Sequence, residues 1–139
     1  MFIAGKSAPK MGEVRLGRVV QDGPNRNGTH RYIGVRPYLV VSNDTYNKMS
    51  GQTEVIPFTT KRRNSHNPVH VDYNVGEVDG LTQDSTLIIE GRDVLPNDDL
   101  SEPLGLFNIG NWKKAAKAMV TQCPCLAMAF DESVVGVGC

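Results

Sequence analysis

The chain has 139 residues, 40% of them hydrophobic and 22% charged, with a formal net charge of zero: enough for one domain with a real core, too short for two comfortable ones. Its clean apolar runs, such as Tyr38-Leu39-Val40-Val41, are far shorter than the roughly 20 residues of a membrane-spanning helix, so no segment reads as one. The neutral total hides a division: residues 1–70 hold eleven Lys/Arg against four acids, residues 71–139 four against eleven. That asymmetry fits a basic surface for a polyanion, and equally two halves that neutralise each other across the fold.

In chain order, "MFIAGKSAPK" lacks the apolar stretch of a secretory signal. It reads as a short, loosely held extension over residues 1–11, with a cytoplasmic location by default. "GEVRLGRVV" (Gly12 to Val20) sets Val14, Leu16 and Val19 among charged residues, the pattern of a half-exposed strand. "QDGPNRNGTHRYIG" is a long Gly/Pro/Asn loop, of a length that compact domains usually keep for function. Pro37 then opens the strand "YLVVS", which has no polar alternation and reads as buried on both faces. "NDTYNKMSGQ" predicts a turn or one helical turn capped by Asn43 or Asp44.

"TEVIPFTT" (Thr53 to Thr60) predicts a strand whose Pro57 marks an edge or bulge, and "KRRNSHN" a basic loop. "PVHVDYNV" alternates Val69, Val71 and Tyr73 with His70 and Asp72. "STLIIEGRDVL" predicts one long strand, or two broken at Gly91. After "PNDDLSEPLG" the period changes: Trp112, Ala115, Ala116, Met119, Val120 and Cys123 recur at helical spacing opposite Lys113, Lys114 and Lys117, and Pro124 ends the helix. Five or six short strands and one closing helix predict a mainly β fold, a small antiparallel barrel or strongly curved sheet, over residues 12–125. Residues 126–139 form a C-terminal tail.

Cys123, Cys125 and Cys139 all lie near the C-terminal end, and "CPC" lacks the two-residue spacer of a redox or zinc pair. Neither a disulfide framework nor a metal site is implied, and no Walker loop, G-x-G-x-x-G, G-x-S-x-G or H-E-x-x-H is present. What remains is a cationic, hydroxyl-bearing set near strand ends: His30, Arg31, Arg36, Thr59, Thr60, Lys61, Arg62 and Arg63. Such a set suits a phosphodiester. Arginine offers a planar donor fork to phosphate, histidine can shuttle a proton, and RNA supplies its own 2′-OH nucleophile.

"GEVRLGRV…GVRPYLVVSND", "VIPFTT", "NPVHVDY" and "GLTQDSTLIIEGRDVLPNDDL", in that order, resemble the PemK/MazF toxins of bacterial type II toxin–antitoxin modules. The resemblance implies a small SH3-like barrel of five to seven antiparallel strands with a C-terminal helix. It also implies a homodimeric endoribonuclease that needs no cofactor, cleaves single-stranded RNA and is blocked by a cognate antitoxin. Residue by residue, Arg36 of "RP" takes the place of the catalytic arginine and Thr59 of "IPFT" that of the catalytic threonine. His30 stands six before Arg36, as the functional histidine of the Kid branch does. The cations Arg31, Lys61, Arg62 and Arg63, with Thr60, would line the RNA.

Departures from the family pattern are specific. The loop "NGTHRYIGVRP" lacks the family's Glu-Gln pair, and "STLIIEG" has apolar residues where the Kid branch has Arg and Asp. Glu90 matches the glutamate of the other branch, which favours an Arg–Thr version of the site, and Arg15 stands where an aromatic residue is common. A non-catalytic member of the fold, binding RNA or antitoxin, remains an alternative. So does a CcdB-like gyrase inhibitor, although Trp112 sits on the helix face rather than at the chain end.

Overall fold

The structure, a computed structural model, describes residues 1–20, 33–61 and 63–130. Its elements run β1 (Glu13–Val19), β2 (Gly34–Val40), α1 (Asp44–Ser50), β3 (Gln52–Thr59), β4 (His70–Tyr73), β5 (Ser85–Ile88), β6 (Asp93–Pro96), β7 (Leu100–Leu106) and α2 (Ile109–Gln122). The seven strands pair antiparallel in the order β4-β5-β3-β2-β1-β7, with β6 added to β3. The expected small barrel is thus a strongly curved sheet that is not closed, since no ladder joins β4 to β7 among the described residues. Backbone contact bridges part of the gap. A Cβ on Gly105 would fall 2.1 Å from the Asp79 carbonyl oxygen, and one on Gly80 (φ 93°) 2.7 Å from the Leu104 carbonyl carbon. Only glycine lets two main chains approach so closely.

β2 and β3 are buried on both faces, as the apolar run "YLVV" predicts. Leu39, Ile56 and Phe58 join the core beneath α2, while Tyr38, Val40 and Val55 join a second cluster with Val19, Leu95 and Leu100. Under α2 the rings of Phe58, Tyr73, Phe107 and Trp112 meet edge-on or tilted at 5.2–6.3 Å, pairs worth about 0.5–1.5 kcal/mol each beyond area burial. Asn43 caps α1 by accepting from the Tyr46 N–H, and Asn108 and Asn111 form a reciprocal capping box on α2. No helix among the described residues is long and apolar enough to cross a membrane.

Four local expectations differ from what is observed. Pro57 lies in the most central strand rather than at an edge. It is tolerated because β3 changes neighbours there, from β6 at Gln52–Val55 to β5 at Phe58–Thr59. The strand β7 was not expected, because "LSEPLGL" carries a proline and buries little besides Leu100. On α2 the inward positions are Asn111, Ala115 and Ala118, with Ala116 exposed, so the buried stripe is rotated from the apolar one. Asn111 points inward because its side chain donates to the Glu77 carbonyl.

The fourth difference concerns the ends of the sheet. Arg15, read as outward-facing, is 1% exposed. It donates to Glu13 (2.9 Å), to the carbonyls of Ser7 (3.1 Å), Ala8 (3.4 Å) and Ser101 (2.8 Å), and to the Ser7 hydroxyl (3.1 Å). The N-terminal segment is therefore tied down. Its Gly5 N–H donates to the Leu100 carbonyl, and the Lys6 and Ser7 N–H groups to the Glu102 carboxylate. Further along, the Pro9 carbonyl accepts from buried Asn47, and the Met11 N–H donates to Asp44.

Candidate functional site

The last β2–β3 pairs are Val40↔Val55, Leu39↔Ile56 and Tyr38↔Pro57. Beyond them the strands part. Pro37 and Pro57 have no N–H to extend the ladder, β2 stays on β1 through Gly17↔Arg36 and Val19↔Gly34, and β3 turns to β5 through Thr59↔Thr86. Continued two residues past its end, the β2–β3 register sets Arg36 opposite Thr59. The two residues singled out from the "RP" and "IPFT" stretches thus both border the mouth where the sheet opens.

That mouth is a groove of about 470 Å³. Arg36, Thr59, Thr60 and Lys61 line it together with Thr82 and Gln83 from the loop ahead of β5 and Ser85 at the start of that strand, and its apolar walls include Leu16, Val35 and Leu104. Arg36 is half-buried, Thr59 is 8% exposed, and Lys61 is exposed at the rim. The Lys61 N–H donates to the Thr59 Oγ1 at 3.3 Å, which leaves the hydroxyl hydrogen of Thr59 to point at an acceptor in the groove. No carboxylate is among the described lining residues, so the charged groups facing the groove are the cations Arg36 and Lys61. A rigid strand behind each key residue holds it better than a free loop would.

Arg63 is placed elsewhere. Its guanidinium donates to the Tyr73 carbonyl at 2.9 Å and to the Asn74 Oδ1 at 2.8 Å, at the end of β4. It belongs to a network with Asp72, whose carboxylate accepts from the Thr86 hydroxyl (2.6 Å) and the Asn64 N–H (3.0 Å). Burial works to raise the Asp72 pKa, but those two hydrogen bonds and the charges of Arg63 and Lys114 outweigh it and hold the carboxyl below its usual range. A depressed pKa in the folded state means stability that is present above about pH 4 and lost as pH falls through the folded value. Unfolding titrations at stepped pH are expected to show a shallower acid loss in Asp72→Asn than in the natural chain. Parallel losses would show that this carboxylate carries no pH-dependent stability.

His30, Arg31 and Arg62 lie outside the described residues. Glu90 binds His70 Nε2 at 2.5 Å, and Asp84 accepts from the Val75 N–H. Glu90 lines a separate hollow with Trp112 and Met119. The groove residues that sequence reasoning missed are Leu16, Val35, Leu104 and the run Leu81–Gln83 with Ser85. The block "GLTQDST" was noticed only for its resemblance, and Leu104 could not be placed without β7.

Residues 12–122 match a family model described as PemK-like, MazF-like toxin of type II toxin–antitoxin system. Among solved structures, the chain is similar to a mycobacterial endoribonuclease in complex with its cognate antitoxin. Identity is 25% and the TM-score 0.62, covering 84% of this chain and 96% of that one. It is also similar to the Mycobacterium tuberculosis toxin MazF-mt6 (18% identity, TM-score 0.63, 81% and 96% covered). MazF from Deinococcus radiodurans is similar at 16% identity and TM-score 0.65, with 86% and 99% covered. At 18% and 16% identity the likeness is one of fold. No curated protein matches.

Proposed function

The chain belongs to the PemK-like, MazF-like toxins of type II toxin–antitoxin systems, and on that premise we propose that it is a sequence-specific endoribonuclease of single-stranded RNA. The observation that carries the reading is that Arg36 of β2 and Thr59 of β3 line one groove with Lys61 at its rim, where the two strands part. In this mechanism the scissile phosphate lies in the opening, accepting from the Arg36 guanidinium and the Thr59 hydroxyl. The 2′-OH attacks phosphorus in line, negative charge builds on the equatorial oxygens, and the fixed donors stabilise it more than they stabilise the ground state. Arg36 gives a proton to the departing 5′-oxygen, and the products are a 2′,3′-cyclic phosphate and a 5′-OH. His30 is the candidate for removing the 2′-OH proton.

Arginine and lysine neutralise the phosphate here, so the reaction runs without a metal. The enzyme acts as a cytoplasmic homodimer and is neutralised by an antitoxin whose acidic, extended segment covers the same rim. The gyrase reading is disfavoured by Trp112, which is half-buried with its ring 5.2 Å from that of Phe107 and does not project toward a target.

The test is cleavage of a long single-stranded RNA in excess EDTA, with both ends of each cut mapped. Cuts at a short recurring sequence are expected, carrying cyclic phosphate and 5′-OH ends and blocked by a 2′-deoxy substitution at the cut nucleotide. Thr59→Val is expected to slow cleavage by about 10–100-fold, the worth of one hydrogen bond to a charged group. Inhibition by the chelator would remove the mechanism. Tight RNA binding without cutting by the natural chain would favour the non-catalytic member instead.

A further inference from the structure

The family match begins at residue 12, yet the segment before it is held firmly against the sheet at one end of the groove. Met1, Phe2, Ile3 and Ala4 form one side of a second hollow of about 560 Å³, whose other side includes Leu16, Val35 and Leu104. Those last three residues also wall the Arg36–Thr59 groove, so the two depressions adjoin along that wall. Phe2 is fixed from behind: the Arg18 guanidinium carbon lies 4.9 Å from its ring centroid, and Arg18 is itself anchored on Asp99 at 2.9 Å.

We propose that this N-terminal segment is a base-binding shelf, on which a nucleobase flanking the scissile phosphate stacks against Phe2 and Ile3. The inference rests on the ribonuclease reading of the adjoining groove and deepens it. Three observations select the occupant. The hollow adjoins the groove that holds the cations, sharing Leu16, Val35 and Leu104 with it, so a strand whose phosphate sits at Arg36 can pass its next nucleotide over that wall. Its lining is mostly apolar with one aromatic ring, the surface single-stranded RNA bases use. Its one described acid, Glu102, accepts from the Lys6 and Ser7 N–H groups and the Ser7 hydroxyl, which hold its pKa below the usual carboxylate range. A fixed carboxylate repels a phosphate and accepts from base N–H groups, so the base rather than the backbone faces the shelf.

Two readouts test this. First, a short random-sequence RNA pool carrying 4-thiouridine is irradiated with the natural chain, and the adducts are mapped. Adducts on the peptide containing Phe2 and Ile3 are expected. Second, end-mapped cleavage profiles are compared for the natural chain, Phe2→Ala and Phe2→Trp. The central cut is expected to persist in all three, while preference at one flanking nucleotide flattens about tenfold in Phe2→Ala and survives in Phe2→Trp. Cleavage with no such adduct and an unchanged Phe2→Ala profile overturns the shelf while leaving the ribonuclease intact. Adducts on the segment without any cleavage uphold the shelf and remove the catalytic reading.

Discussion

Arg36→Ala is expected to lower RNA cleavage by at least about 10²–10³-fold, the usual cost of deleting one fixed donor to a developing oxyanion, with the melting temperature almost unmoved. The stability half of this expectation comes from geometry. Arg36 contributes main-chain pairing with Gly17, which alanine keeps, and its half-buried side chain lines the groove and belongs to neither core cluster. The kinetic half comes from timing. A guanidinium that meets phosphorane oxygens stabilises a charge that grows along the reaction, so kcat falls more than KM rises. Arg36→Lys separates charge from shape, because an ammonium supplies the cation without the planar fork, and its rate should fall between the two. Initial rates on one mapped substrate, beside a thermal melt of each variant, are sufficient. Full activity in a folded Arg36→Ala would dismiss the Arg–Thr site. A collapsed melting temperature would instead assign the residue to the fold.

The candidate residues Arg36 and Thr59 were legible through the family resemblance of "RP" and "IPFT": Arg36 stands directly before Pro37 and Thr59 two residues after Pro57, and both prolines lie where the strands separate. What could not be read is the part made by non-local approach. The loop at Leu81–Gln83 reaches the groove because Gly80 and Gly105 let two main chains touch, and these glycines are 25 residues apart with no pattern linking them. β7 escaped for a related reason: among the described residues it is an outer strand paired only to β1, with irregular register, so no hydrophobic alternation was required of it. α2 was legible as a helix through its spacing. Its rotation was not, since small and polar residues such as Ala118 and Asn111 pack inward for lack of room or for a hydrogen bond.

Arg15 is the sharpest departure from pattern, and replacing it should have the largest effect on stability. In β1 the alternation Val14, Leu16 marks Arg15 as solvent-facing, yet Leu16 is half-buried at the groove wall and Arg15 is covered by the N-terminal segment. The burial is tolerable because the guanidinium is paired with Glu13 at 2.8 Å and spends its remaining donors on Ser7, Ala8 and Ser101. Arg15→Met keeps the length of the side chain but leaves those carbonyls and the Glu13 carboxylate without their donor. Removing one partner of a buried ion pair costs about 3–5 kcal/mol, which for a domain of this size lowers the melting temperature by about 10 °C or more. The loss should be uneven. Core pairing between β2 and β3 does not involve Arg15, whereas the segment carrying Lys6 and Lys10 depends on it, so trypsin should cut at those lysines well below the melting temperature. If the shelf reading holds, the same variant loses the flanking-base preference that Phe2→Ala loses while still cutting RNA, because the main-chain pairing of β1 with β2, which positions Arg36, does not depend on the Arg15 side chain. A variant that melts with the natural chain and protects Lys6 would mean that the segment is held by its remaining contacts with Leu100, Glu102, Asn47 and Asp44 without Arg15.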